Sequence, residues 1–244
     1  MKDSYVFDSL DPNLAKDYAA RFAGEYYDLE METVLSVALA DKRNLPSLRF
    51  PENKIVALEK YIEKWVHAYL KGYNNRPSNR VGSRSVTFPD AIVKLILQSR
   101  LPNIDGELAT KIEGGHSLMM TIENLVGDLL EEYLSIRLRS NGWCCCWGST
   151  IDAVDFCKSD GSLIQIKNSD NSENSSSSRV RSGTTIQKWY RRVSTRENTY
   201  VWDSLNDLLD RTDLSEEDFR HFVVSVIEAN PNCLFVEDDH PLNI

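Results

Sequence analysis

The sequence predicts an α/β fold: a small mixed sheet flanked by helices, with an added helical region at the N-terminus. Three observations carry that expectation. Apolar residues recur at helical spacing through 13–45, 53–73 and 117–140. The texture changes over 142–168, where short apolar runs flank Asp160-Gly161, the strongest hairpin signal in the chain. Helical spacing then resumes and continues to about residue 229.

In the second helical stretch Ile55, Leu58, Ile62, Trp65, Val66 and Tyr69 fall on one face. Pro46 and Pro51 break the chain ahead of it. Residues 74–87 read as a polar loop carrying Arg76, Arg80 and Arg84. Pro89 sits near the start of a further helix, which runs to about Arg100 and is ended by Pro102. Gly106, Gly114 and Gly115 make 103–115 a connection, and Ser117 is the expected N-cap of a long amphipathic helix. Asn141-Gly142 stops that helix. Two or three adjacent strands follow in 142–168. Residues 168–178 are polar and serine-rich, by composition a flexible linker. A helix is expected to restart near Thr184 with Ile186, Trp189, Tyr190 and Val193, and two more near 200–210 and 215–229. The expected division is a helical region over 1–105 and a core formed by 106–244, with the helical region either a separate unit or packed on the core.

The chain has 244 residues and 41% hydrophobic content, enough for a sizeable core. No apolar run approaches the roughly 20 residues that span a bilayer. No signal peptide opens the sequence, so the five cysteines are expected as reduced thiols in a cytoplasm. Cys144-Cys145-Cys146 lacks CxxC spacing, and neighbours on a strand point to alternate faces, so these read as core residues. His67 and His116 stand far from the candidate site in sequence and read as structural or surface residues. The net charge of −9 argues mildly against nucleic acid. Yet 179–196 holds Arg179, Arg181, Lys188, Arg191, Arg192 and Arg196 and no acid. Such a segment is either a solvated face or a DNA-contacting one.

Phosphodiester hydrolysis needs a divalent cation at the scissile phosphate, carboxylates to hold it, and a positive group for the more negative transition state. Residues 127–167 offer that set in order. Glu131 lies on the amphipathic helix, Asp155 on the strand entering the hairpin, and Gln165 and Lys167 on the returning strand. Residues two apart on a strand share a face, and the turn brings that face level with Asp155. Taken singly, each has an ordinary structural explanation; the order in combination is what points to a nuclease.

That order resembles the PD-(D/E)xK nuclease superfamily. Gly127-Asp128-Leu129-Leu130-Glu131 is similar to its helix motif, placed ahead of a Gly-aromatic pair, here Gly142-Trp143. Asp155 matches the metal-binding aspartate and Lys167 the motif lysine. Gln165 departs from the usual Asp or Glu. A Q-x-K form is known in the Mrr-like branch, where the helix glutamate supplies the second carboxylate, and this puts weight on Glu131. Over roughly 110–195 the chain resembles type II restriction endonucleases of the SinI family, through the run 167–178, Arg181-Ser182-Gly183-Thr184 and Lys188-Trp189.

The resemblance implies magnesium held by Asp155, Glu131 and the Ile166 carbonyl, with Asp152 and Glu173 in reserve. It implies Lys167 and Gln165 at the attacking water, and double-stranded DNA cut at GGWCC or a similar short palindrome. The loop 168–184 would lie along the DNA through Asn168, Ser169, Asn171, Ser175, Arg179 and Arg181, with Lys188, Arg191 and Arg192 toward phosphates. A homodimer, and a cognate DNA methyltransferase encoded in the same bacterial or archaeal system without binding this chain, are further expectations. The rival readings are a non-catalytic DNA-binding protein on this fold and a resolvase or repair nuclease of the same superfamily.

Overall fold

A computed structural model describes residues 10–50, 55–83, 90–170, 185–237 and 240–242. Among them are seven α-helices and four strands: α1 (Pro12–Ala23), α2 (Leu29–Ala40), α3 (Leu58–Asn74), α4 (Ala91–Arg100), α5 (Gly106–Leu138), β1 (Trp143–Cys145), β2 (Phe156–Lys158), β3 (Leu163–Ser169), β4 (Gln187–Arg192), α6 (Trp202–Leu209) and α7 (Glu216–Ala229). The fold is mixed α/β with a four-stranded sheet in the order β1-β2-β3-β4. The first two pairings are antiparallel, and β4 lies parallel to β3.

The chain divides into two compact units, one formed by Met1–Arg76 and Leu130–Arg220 and the other by Pro77–Leu129 and His221–Ile244. The first contains the sheet. Helix α2 is apolar on almost every side, buries Met31, Val34, Leu35, Val37, Ala38 and Leu39, and packs on β1 and β2. Helix α3 buries Leu58, Ile62, Trp65, Val66 and Tyr69 of the stripe its spacing predicts, with Tyr61 beside them, whereas Ile55 lies ahead of the helix and is exposed. It is anchored by the Trp65 indole N–H, which donates to the Thr150 carbonyl at 2.9 Å. Under β4 an aromatic cluster joins Trp189 to Trp202 (ring centroids 5.1 Å apart), and Trp202 to Tyr133 and Phe219.

Helix α3 meets the turn after β1 at unusually close range. A Cβ on Gly72 would overlap the Gly148 backbone, and one on Gly148 would overlap the Ala68 carbonyl. Gly148 also has φ +69°, where side chains are strained. Gly148→Ala is therefore expected to cost on the order of 3 kcal/mol, because backbone must move to make room. Chemical denaturation reads this directly, and a loss below about 0.5 kcal/mol would show that the two backbones are not held in contact.

In the second unit, the Arg80 guanidinium pairs with Asp128. The Asn230 side-chain amide donates to the carbonyls of Pro77 and Arg80, each at 2.8 Å. Helices α4 and α5 form a hairpin, with Lys94 donating to the Thr110 hydroxyl at 2.7 Å.

Two elements differ from the sequence expectation. Helix α5 starts at Gly106, so Gly114 and Gly115 are helical. The cap is Asp105, whose carboxylate accepts the Leu108 N–H at 2.8 Å, not Ser117. A Cβ at Gly114 would stand 3.0 Å from Pro241, so close approach explains that glycine better than a turn does. The second correction concerns 184–193: residues Gln187–Arg192 form β4, not a helix. The hairpin at Asp160-Gly161 (Gly161 φ +87°) and the stop at Gly142 (φ +76°) stand where the sequence puts them. No helix among the described residues is long and apolar enough to cross a membrane.

Candidate active site

The hairpin register and one buried carboxylate define the site. Asp155 immediately precedes β2, and its backbone N–H donates to the Ile164 carbonyl at 2.9 Å. Its own carbonyl accepts from the Cys146 N–H at 2.8 Å, so the residue is tied to β3 on one side and to the end of β1 on the other. The carboxylate accepts the Ile166 N–H at 2.7 Å. The N–H and C=O of a strand residue point to the same edge, so the Ile166 carbonyl faces the edge that Asp155 occupies. Its low-dielectric surroundings push the Asp155 carboxyl up to about 6, against the Ile166 hydrogen bond and the Lys167 charge, which both favour the ionised form.

Gln165 and Lys167 alternate with Ile164 and Ile166 along β3. Gln165 is 6% exposed, and its Oε1 has no hydrogen-bond partner among the described residues. A buried orphan acceptor of this kind costs stability unless a water or a cation fills its lone pairs. The half-buried Lys167 ammonium has its pKa lowered by desolvation; Asp155 opposes the shift and Lys188 adds to it.

Glu131 enters from α5. The Cys145 thiol, fully buried on β1, donates to Glu131 Oε1 at 3.5 Å. Burial pushes that thiol up, and the Glu131 and Asp155 carboxylates add to the effect, so both lie within its electrostatic reach. Helix, strand and hairpin thus bring Glu131, Asp155, Gln165 and Lys167 to one region of the first unit. The cysteines are buried as the sequence suggests, but Cys145 also touches the site, which strand alternation after Gly142-Trp143 could have signalled. No group of three His, Cys, Asp or Glu residues forms a metal cage among the described residues. Asp152 lies in the turn before Asp155, with its backbone N–H on the Asn44 carbonyl at 2.8 Å. Glu173, Asn171, Ser175, Arg179 and Arg181 lie outside the described residues.

The parallel pairing of β3 with β4 arranges the remaining candidates. Gln165 stands opposite Lys188, Lys167 opposite Tyr190, and Ser169 opposite Arg192. Opposed residues in a ladder share a face, so Lys167, Lys188 and Arg192 form a basic row with Tyr190 among them. Tyr190 carries no signal in the sequence that would single it out for the site. Lys188, Tyr190 and Arg192 are exposed, whereas Trp189 and Arg191 are buried on the other face. Arg191 pairs with both Glu216 oxygens at 2.7 and 2.8 Å and donates to Asn168 Oδ1 at 2.9 Å. Arg191 and Asn168 thus bond one another, and Arg191 differs from the solvent-facing phosphate contact expected of it.

A model of the SinI restriction endonuclease family matches residues 27–229, which include every described residue of this constellation. The chain is 41% identical over 184 residues to the type II restriction enzyme Eco47I of Escherichia coli, covering 73% of this chain and 76% of that one. It is 37% identical over 190 residues to the type II restriction enzyme SinI of Salmonella infantis, covering 73% of this chain and 82% of that one.

Proposed function

The chain belongs to the SinI restriction endonuclease family, and from that premise we propose how it acts as a type II site-specific deoxyribonuclease. The core is of the PD-(D/E)xK kind. The observation that carries the reading is the Asp155 carboxylate held on the Ile166 N–H beside the orphan oxygen of Gln165 and the ammonium of Lys167.

Asp155, Glu131 and the Ile166 carbonyl would hold Mg2+. The set fits: it offers hard oxygen ligands with two carboxylates, and magnesium keeps several waters, so no larger cage is needed. When bound, the ion supplies positive charge to the scissile phosphate and the attacking water. Asp155 is fixed by its three strand hydrogen bonds, so it needs little reordering when loaded. Gln165 can accept a hydrogen bond from the water and orient it, but it brings no charge. Lys167 places its ammonium by the same carboxylate, where it balances the extra negative charge of the pentacovalent phosphate. Its lowered pKa also suits it to exchange a proton with the water. The water attacks in line and releases a proton to solvent, the P–O3′ bond breaks, and the leaving oxygen takes a proton from Lys167 or solvent.

Lys188 and Arg192 extend the basic row along β4 and are assigned to backbone phosphates, with Arg179 and Arg181 assigned to guanine edges. The target is GGWCC or a similar short palindrome, met by a two-fold homodimer. Phage DNA incubated with the protein and Mg2+ should give discrete fragments ending at one palindrome, and none in EDTA. Intact DNA from folded protein would sink the nuclease reading; ragged ends without a common sequence would sink specificity.

Lys188→Ala together with Arg192→Ala should weaken binding on every duplex alike. The slope of log K against log salt should fall by roughly 2, about one for each phosphate no longer neutralised. An unchanged slope in a salt titration would remove both residues from the phosphate track.

A further inference from the structure

The strands of the sheet carry Trp143, Phe156, Trp189 and Tyr190 as their aromatic residues. The first three are buried, whereas Tyr190 is 39% exposed. A large ring on a strand ordinarily gains its energy by packing against its neighbours. Among the described residues the Tyr190 ring has no aromatic or cation contact, and its hydroxyl has no hydrogen-bond partner. Its place in the ladder gives the reason. β4 is the last strand of the sheet, and Tyr190 stands opposite Lys167 on β3. Lys188 and Arg192, two residues to either side, share its face. Like charges side by side on one face repel, and a polyanion laid across them relieves the repulsion.

We propose that Tyr190 is a substrate contact, whose hydroxyl donates a hydrogen bond to a non-bridging oxygen of the phosphate that Lys167 serves. Adjacent strands lie about 4.8 Å apart, and lysine and tyrosine have similar reach, so one phosphate group can meet both tips. A phenol is a neutral donor at pH 7. It therefore adds a directed hydrogen bond between the cations without adding to their repulsion. The rigid ring needs only two side-chain torsions fixed to hold that hydroxyl in place, which a fourth lysine would not match. The proposal rests on the nuclease reading and adds a residue to its substrate track.

Tyr190→Phe keeps the exposed ring and removes only the hydroxyl, so circular dichroism should match wild type. In EDTA, the dissociation constant for a duplex carrying GGWCC should rise on the order of tenfold. The slope of log K against log salt should stay as it is, because a neutral donor releases no counterion. With Mg2+, the single-turnover rate at saturating DNA should fall about tenfold, as the hydrogen bond strengthens with the growing charge on phosphorus. Duplexes with one methylphosphonate at each backbone position in turn identify the phosphate. At one position Tyr190→Phe and Lys167→Met should each cost less affinity than on unmodified DNA, and that position should be the same for both. Wild-type affinity in Tyr190→Phe, a reduced salt slope, or different positions for the two variants would overturn the proposal. Affinity is read without cutting, so a protein that binds in this way and leaves the duplex intact would count against the nuclease reading alone.

Discussion

Asp155→Asn should abolish cleavage, by at least about 10^4-fold, while leaving DNA binding intact. Asparagine keeps the shape and can still accept the Ile166 N–H through its carbonyl oxygen. It loses only the charge that would hold the cation. Gel shifts in EDTA should therefore match wild type, or tighten as a negative charge leaves the edge proposed to face DNA. Residual cutting within tenfold of wild type would move the metal site to other residues, with Asp152 the first to test.

The same substitution carries a stability signature of opposite sign. Without metal, the Asp155 carboxyl sits at about 6, above its value in an unfolded chain. A raised carboxyl pKa means that the fold is most stable with the proton on. That contribution is complete below about 4 and is lost as pH rises through about 6. In EDTA at pH 7.5, Asp155→Asn should be more stable than wild type, on the order of 2 kcal/mol, with the difference vanishing near pH 4. Thermal melts at the two pH values check this. Equal melting temperatures at pH 7.5 would mean that the carboxylate is not desolvated. In the proposed mechanism the site would thus trade stability for chemistry, as would the orphan oxygen of Gln165.

Arg191→Met should unfold more than it disarms. The residue is 8% exposed, and its guanidinium grips both oxygens of Glu216, donates to Asn168, and lies over the rings of Tyr200 and Phe219 at 5.2 and 5.1 Å. Removing it leaves Glu216 with the Trp202 indole N–H at 3.0 Å and the largely exposed Arg220 at 3.2 Å. Glu216 is part-buried and keeps those two partners, so losing its main one costs about 2–3 kcal/mol, below the figure for a fully buried pair. Arg191→Met with Glu216→Gln should recover a large part of that, because the stranded charge goes too. Urea denaturation of the single and double variants forms the cycle. A fully stable Arg191→Met protein with weakened, less salt-sensitive DNA binding would instead return Arg191 to the phosphate track.

This arginine also shows why part of the site was hidden in the sequence. An inward strand position filled by Arg breaks the apolar alternation, so Ile186, Trp189, Tyr190 and Val193 match helical spacing better than strand spacing. Only the parallel ladder with β3 reveals that Lys188, Tyr190 and Arg192 share one face and Trp189 and Arg191 the other. Helix α5 misleads in a similar way. Gly114 and Gly115 read as a break, yet Gly114 answers to the approach of Pro241, far along the chain.

The sequence by itself determined whatever depends on local spacing. Asp160-Gly161 specified the hairpin, because a tight turn needs positive φ. The hairpin then fixed which residues of 155 and 163–167 could meet, and Gly142 ended α5 ahead of β1. The placement of Asp155, Gln165 and Lys167 as a candidate cluster with Glu131 was legible for the same reason: the tight hairpin leaves them few ways to sit. Tertiary structure alone decided which cations face solvent. Arg191 and Arg192 are chemically identical neighbours, and one is buried against Glu216 while the other is exposed, because strand alternation and a carboxylate from a distant helix separate them. It alone left α4 with its apolar side outward, because which face of an amphipathic helix is covered depends on what packs beside it.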